Sequence, residues 1–167
     1  MKHVGRTDKS EINNAGGIQD TALHSELERH RIHPANFRML QLLPPLMVAW
    51  ADGEVGERER KQILRMASLR GISEGYAEHT QLEQWLEDPP PEALHHAALA
   101  RIHATLRCRP RQEADSLARE LYARCTEVAS ASRSFYGLGP RISQHEREAL
   151  ESVAREIRPF TYSLEEN

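Results

Sequence analysis

The chain has 167 residues, a formal net charge of -3 and 28% charged residues with both signs interspersed, so it has the length of one domain with a buried core. This balance, together with only 5% aromatic residues, argues against the basic, aromatic-rich surface of a nucleic-acid-binding protein. No apolar run approaches the roughly 20 residues that span a bilayer, and no secretory signal opens the chain, which predicts a cytoplasmic location without a transmembrane segment.

Residues 1–20 contain Gly, Asn, Asp, Lys and Thr and almost no apolar side chains, which predicts a disordered N-terminal tail. A helical domain is predicted over residues 21–160, with a C-terminal tail over residues 161–167. A short amphipathic helix at the start of the domain is indicated by the spacing of three apolar residues, namely Leu23, Leu27 and Ile32.

Apolar residues then recur at three- and four-residue steps, which is typical of helices with one buried face. Pro34 suits the first turn of a new helix. Pro44 and Pro45 are expected to kink that helix, because a proline lacks an amide hydrogen and crowds the preceding turn. The next helix is predicted over residues 57–70, with Gly71 ending it.

Ser73 is predicted to cap a third helix, whose apolar side would include Tyr76. The three prolines ending at Pro91 stop that helix and start a fourth. After Pro110 a long helix has the cleanest apolar stripe in the chain. Because no segment alternates like a strand, we predict an all-α bundle of six to eight helices with two pseudo-repeated helical pairs.

An acidic turn lies between the predicted helix that contains Pro44 and Pro45 and the helix predicted over residues 57–70. Asp52, Gly53 and Glu59 keep the spacing of the second half of a calcium-binding EF-hand loop. The first and third ligand positions of such a loop fall on Val48 and Trp50, which carry no side-chain carboxylate or carbonyl. An autonomous EF-hand is therefore excluded, and a metal ion would need ligands from elsewhere.

A weaker copy of this pattern recurs near the C-terminus. The segment Ile142–Leu150 includes an S-x-x-E capping box, which predicts a last helix that starts after Ser143. Aligning this segment with residues 55–63 suggests two related helix starts. The alignment pairs Gly56 with Ser143, Glu59 with Glu146, and Ile63 with Leu150.

Two interpretations of the acidic residues stay open. Asp52 can accept amide hydrogens within its turn, and Glu59 and Glu146 can each fold back onto the amide at the start of their own helix. Alternatively, Asp52, Glu59 and Glu146 are ligands of a divalent cation of the calcium or magnesium type, with carbonyls such as that of Glu54. Such a cation is the one cofactor that the sequence suggests.

Other side chains indicate no enzyme. Cys108 and Cys125 form neither a C-x-x-C pair nor a disulfide framework, so reduced thiols are expected. Nine histidines supply no zinc motif, and no phosphate-binding loop or nucleophile elbow occurs. Trp50 and Glu54, beside the acidic turn, are the candidate residues for contact with a protein partner.

Two motifs in the same order resemble the tellurite-resistance TerB family, whose members are small all-helical bacterial domains. The similarity covers about residues 37–157. The first motif is Ala51-Asp52-Gly53-Glu54-Val55 followed by Glu59. The second comprises Ala131-Ser132, Gly137-Leu138-Gly139, and Ile142-Ser143 with Glu146.

The resemblance implies an all-helical fold without established catalytic activity. It implies a role in tellurite resistance and general stress response, beside membrane-associated protein complexes. The expected location is therefore the cytoplasm or the periphery of the inner membrane. Family acidic residues suspected of binding divalent cations correspond here to Asp52, Glu59 and Glu146. We therefore predict a non-enzymatic adaptor or sensor that acts through protein partners, with a cation-binding module as the alternative.

Overall fold

The computed structural model describes residues 37–131 and 142–157, together with the single positions 25, 28 and 29. Within this part of the chain there are helices and no strand, which confirms the predicted all-α bundle. The helices are α1 (Phe37–Leu40), α2 (Leu43–Ala49), α3 (Glu57–Ser68), α4 (Ala77–Glu87), α5 (Glu92–Arg107), α6 (Arg111–Ala131) and α7 (Gln144–Ile157), and a 3-10 helix (Trp50–Asp52) follows α2.

Several predictions fall on residues outside the described ranges. These are the N-terminal and C-terminal tails, the helix expected from Leu23 to Ile32 apart from its three described positions, the role of Pro34, and the turn at residues 137–140. The first half of the second TerB-like motif lies there too, apart from Ala131, which ends α6.

The helix predicted before the acidic turn is divided in two, and the break lies ahead of the prolines. α1 ends at Leu40 and α2 begins at Leu43. Pro44 and Pro45 occupy the first turn of α2, where a helix has no use for their missing amide hydrogens. The expectation of a kink at the prolines was therefore wrong, since they start a helix here.

α2 occupies the centre of the bundle and packs against α3, α5, α6 and α7. Leu43 and Leu46 belong to one apolar cluster, which also takes in α1, α3, α4, the start of α5 and Val128 of α6. Val48 belongs to a second cluster, built with the end of α5, α6 and α7. Because both clusters use α2, this seven-residue helix joins the two halves of the bundle.

The loop between α3 and α4 confirms one prediction and contradicts two others. α3 ends at Ser68, and Gly71, with a φ of 73°, closes the helix end as predicted, because its amide donates to the Ser68 carbonyl and the Ile72 amide donates to the Ala67 carbonyl. Ser73 does not cap α4, because that helix begins at Ala77 with Tyr76 in the N-cap position. Tyr76 is 61% exposed and contributes nothing to the core. Ile72 is the buried residue of that loop.

α4 ends before the three prolines, and α5 and α6 begin as expected. Pro91 precedes the first residue of α5, and Pro110 precedes that of α6. Cys125 on α6 is fully buried, and burial raises the pKa of its thiol to about 12. Cys108 is exposed, and both thiols are free. No helix of the described ranges is long and apolar enough to cross a membrane.

Candidate functional site

The acidic turn is a fixed structure that follows the 3-10 helix. Gly53 ends this helix in the left-handed region with a φ of 88°, and its amide donates to the carbonyl of Trp50 at 2.9 Å. Most side chains are strained in this conformation, whereas glycine is not. Asp52 and Glu54 on either side of Gly53 are surface residues. The turn thus presents two carboxylates from a defined backbone.

Glu59 caps the start of α3 as predicted. Its Oε2 accepts a hydrogen bond from the Gly56 amide at 2.7 Å, which satisfies one of the unpaired donors at a helix N-terminus. Gly56 has no side chain to return the bond, so this is one half of a capping box. Glu59 is only 3% exposed. One carboxylate oxygen is therefore used within the helix start.

α7 begins with the complete capping box. The Ser143 amide donates to Oε2 of Glu146 at 2.6 Å, and the Glu146 amide donates to Oγ of Ser143 at 3.0 Å. Glu146 is 1% exposed, and Leu150 is buried in the core as Ile63 is on α3. The predicted equivalence of the two helix starts is confirmed at each of these positions.

Asp52 connects the two helix starts across the bundle. Oδ1 of Asp52 accepts a hydrogen bond from Ser143 Oγ at 2.9 Å and lies 3.2 Å from Nδ1 of His145. These partners are separated from Asp52 by 91 and 93 residues in the sequence. The acidic turn of the first copy is therefore held by the capping serine of the second.

The carboxyl group of Glu59 is electrostatically unusual. Burial raises its pKa from 4.5 to about 7, and the nearby carboxylates of Glu146, Asp52 and Glu54 add to the rise. The hydrogen bond from the Gly56 amide acts in the opposite direction. Near neutral pH, Glu59 is therefore divided between its protonated and ionised forms.

The three proposed cation ligands are neighbours but differ in what their oxygens do. Glu59 and Glu146 each direct Oε2 at a backbone amide, and Asp52 directs Oδ1 at Ser143 and His145. The described residues contain no group of three or more His, Cys, Asp or Glu placed to hold a metal ion. Cation binding by these residues remains a hypothesis.

The two residues predicted to contact a partner occupy different environments. Trp50 is partly buried, packs against the core, and donates a hydrogen bond from Nε1 to the Trp85 carbonyl at 2.8 Å. Glu54 is on the surface. Of the two, Glu54 is the one available to a partner, while Trp50 attaches the turn to the end of α4.

Sequence reasoning missed one member of this site. His145 lies within α7 next to the capping box, and it is exposed except for its contact with Asp52. The alignment of the two helix starts draws attention to the segment that contains His145, but it does not indicate where the two starts lie relative to each other. Only the folded arrangement shows that the two starts meet.

Comparisons with protein families, with curated proteins and with solved structures find no match to this chain. The TerB resemblance therefore depends on its two short motifs, and the function below is argued from the geometry of the turn together with that resemblance.

The bond between the two helix starts predicts energetic coupling between Asp52 and Ser143. Ser143→Ala removes an N-cap and the bond to Asp52, and we expect it to lower the free energy of unfolding by about 1 kcal/mol. In a double-mutant cycle with Asp52→Ala, the coupling energy should be about 0.5 kcal/mol. Urea unfolding followed by circular dichroism measures both quantities.

Ser73→Ala is the matched control for this cycle, because Ser73 is an exposed serine that caps no helix. It should change stability by less than about 0.5 kcal/mol. Strictly additive effects of the Asp52 and Ser143 substitutions would show that the observed hydrogen bond contributes nothing in solution.

Proposed function

We propose that this chain is a non-enzymatic, TerB-like bacterial domain that acts as an adaptor or sensor in tellurite and general stress response. Its contact surface is the exposed acidic turn at residues 52–54, and its partner is a protein, which includes complexes at the inner membrane. The proposed location is the cytoplasm or the cytoplasmic side of that membrane.

One observation carries this proposal: the turn is exposed and yet held at both sides. Asp52 accepts a hydrogen bond from Ser143, and Trp50 donates one to the Trp85 carbonyl. A preformed loop loses little conformational entropy on binding, so its contacts count more fully toward affinity. Its carboxylates favour a partner surface that carries lysine or arginine.

Site-specific photocrosslinking in the bacterial host tests the adaptor function. A benzophenone amino acid at position 54 should give a discrete crosslinked product during tellurite exposure, and the same amino acid at position 74 should not. Glu74 is an exposed residue on the loop before α4. Identical products from both positions, or no product from either, would argue against the turn as the contact surface.

A phenotype gives a second readout of the same proposal. Deletion of the gene should increase tellurite sensitivity, and complementation with the Glu54→Lys variant should fail while Glu74→Lys complements. Both substitutions change exposed residues, so the folded protein should persist in each strain. Normal tellurite resistance of the deletion strain would contradict the stress-response role.

The alternative is a divalent-cation module, and the electrostatics of Glu59 favour it. Four carboxyl groups lie close enough for three of them to raise the pKa of the fourth, and a bound cation would relieve that repulsion. Because two of the carboxylates already accept amide hydrogen bonds, we expect binding only in the millimolar range.

NMR titration of chelator-stripped protein with Ca²⁺, Mg²⁺, Mn²⁺ and Zn²⁺ tests the alternative. Cation binding predicts saturable shifts, or Mn²⁺ broadening, centred on residues 52–59 and 143–146. Asp52→Ala and Glu59→Ala should each abolish them, and Glu57→Ala should leave them unchanged. Flat titrations at 10 mM, roughly ten times the weakest Kd of extracellular calcium modules, would remove this alternative.

A further inference from the structure

A cleft lies between α3 and α6 and shares no residue with the acidic turn. Its volume is about 710 Å³, and Met66 from α3, Leu69 just after α3 and Ala123 from α6 contribute apolar surface to it. A second hollow of about 510 Å³ continues along α6 as far as Ala131 and shares Ala123 with the first. We call the two hollows together the arginine cleft, because Arg65, Arg70 and Arg124 line the larger one.

The charges of this cleft are only partly balanced by the protein. Arg124 forms an ion pair with Glu120, and Glu127 accepts a hydrogen bond from Gln62 at 2.9 Å. Both glutamates therefore have hydrogen-bonding partners, but Gln62 is neutral and leaves the negative charge of Glu127 in place. Three arginines and two glutamates line the larger hollow, so its walls carry one positive charge in excess.

Arg70 shows the imbalance most clearly. Its Nη1 donates to the Met66 carbonyl at 2.7 Å, and its Nε donates to Oε1 of Gln41 at 3.4 Å. Its Nη2 is buried and has no hydrogen-bond partner among the described residues. Because Nη2 is buried, it does not itself face the cleft, but the charge of Arg70 close to Arg124 adds to the positive potential of the walls, which a bound anion would lower.

The shape of the cleft indicates an elongated ligand. Its wall on α6 extends from Glu120 to Ala131, which is about 16 Å at 1.5 Å per residue. An extended peptide of about five residues has this length at 3.3 Å per residue. Leu69, which is 78% exposed, offers an apolar contact beside the arginines.

We propose that the arginine cleft binds an extended acidic segment of a partner protein, with glutamate or aspartate carboxylates at the arginines and an apolar side chain against Leu69. Charge complementarity and the length of the cleft carry this assignment. The proposal goes beyond the adaptor function, since it adds a second surface of opposite charge, and either surface can bind without the other.

A peptide titration of the full chain tests the proposal. The probe is a fluorescein-labelled octapeptide of six glutamates and two leucines, and the matched control peptide has glutamine in place of every glutamate. We expect a Kd on the order of 0.1–1 mM for the acidic peptide, as a few exposed charge pairs allow. Amide shifts in an NMR titration should map to residues 62–70 and 120–127.

Charge-neutral variants separate the cleft from the general charge of the protein. Arg65→Gln and Arg124→Gln should each weaken binding about 3-fold. Arg60→Gln is the control, because Arg60 is on the same helix but faces Glu87 of α4 at 3.7 Å. Equal weakening by all three variants, or equal binding of the glutamine peptide, would overturn the proposal.

Other occupants give distinct results. Binding of inorganic phosphate or a phosphoserine peptide without binding of the acidic peptide would assign the cleft to phosphorylated partners and overturn our assignment. Acidic-peptide binding that appears only in a Glu165→Gln, Glu166→Gln variant would identify the C-terminus of this chain as the occupant. Concentration-dependent cleft shifts without peptide would identify a second copy. Either of these two results would also overturn our assignment. None of these outcomes depends on position 54, so the peptide titration can fail while the crosslinking test of the adaptor function succeeds.

Discussion

Replacing Glu59 by glutamine is expected to stabilise the protein at pH 8 and to leave its stability unchanged at pH 4. Below its ordinary pKa of 4.5 the carboxyl is protonated in both the folded and the unfolded chain. Between 4.5 and the folded value of about 7, the unfolded chain ionises and the folded protein does not, so stability falls. Above 7 the loss is complete.

Glutamine at position 59 retains an oxygen that can accept the Gly56 amide hydrogen and carries no charge to bury. The stability difference between Glu59→Gln and the wild type should therefore rise from near zero at pH 4 to about 3 kcal/mol at pH 8. Urea unfolding at half-unit pH intervals measures it.

The prediction compares the stability of Glu59→Gln with that of the wild type at each pH. The wild-type stability alone is not sufficient, because ionisation of His95 changes it with pH in the opposite direction. Burial lowers the pKa of His95 to about 4 from 6.5, so its ionisation in the unfolded chain removes stability as pH falls below 6.5. The two trends offset each other in the wild-type profile. Glu57→Gln, an exposed change on the same helix, is the control and should show no such slope. A Glu59→Gln difference that is independent of pH would contradict the raised pKa.

Replacing Leu46 by alanine should lower the free energy of unfolding by about 3 kcal/mol. Leu46 is fully buried at the centre of α2, and burying a leucine in a packed core contributes both its transfer free energy and the cavity that its removal would leave. The loss is a large share of the 5–15 kcal/mol that typically stabilises a domain. Urea unfolding followed by the fluorescence of Trp50 and Trp85 measures it.

Leu69→Ala is the matched control, since it makes the same chemical change at a side chain that is 78% exposed. It should change stability by less than about 0.5 kcal/mol. Similar losses at both positions would show that Leu46 is not packed in the apolar core. The same Leu69 variant is also informative in the peptide titration, where weaker binding is expected.

Short-range sequence patterns predicted the structure correctly where interactions between nearby residues determine it. The glutamates three residues into α3 and α7 cap those helices, and Pro91 and Pro110 precede new ones, because hydrogen bonding and proline geometry act over a few residues. These patterns failed where several local solutions compete. Ser73 could cap a helix, yet α4 begins three residues later, at a point that favours burial of Ile72 and Leu82.

The sequence by itself determined the all-α class and the equivalence of the two acidic helix starts, because periodicity and capping are properties of adjacent residues. Only the tertiary structure decided that Ser143 and His145 meet Asp52, that Glu59 is buried among other carboxyls, and that Arg65 and Arg124 share one cleft. These contacts join residues dozens of positions apart, so they depend on how the helices pack, which no short-range pattern specifies.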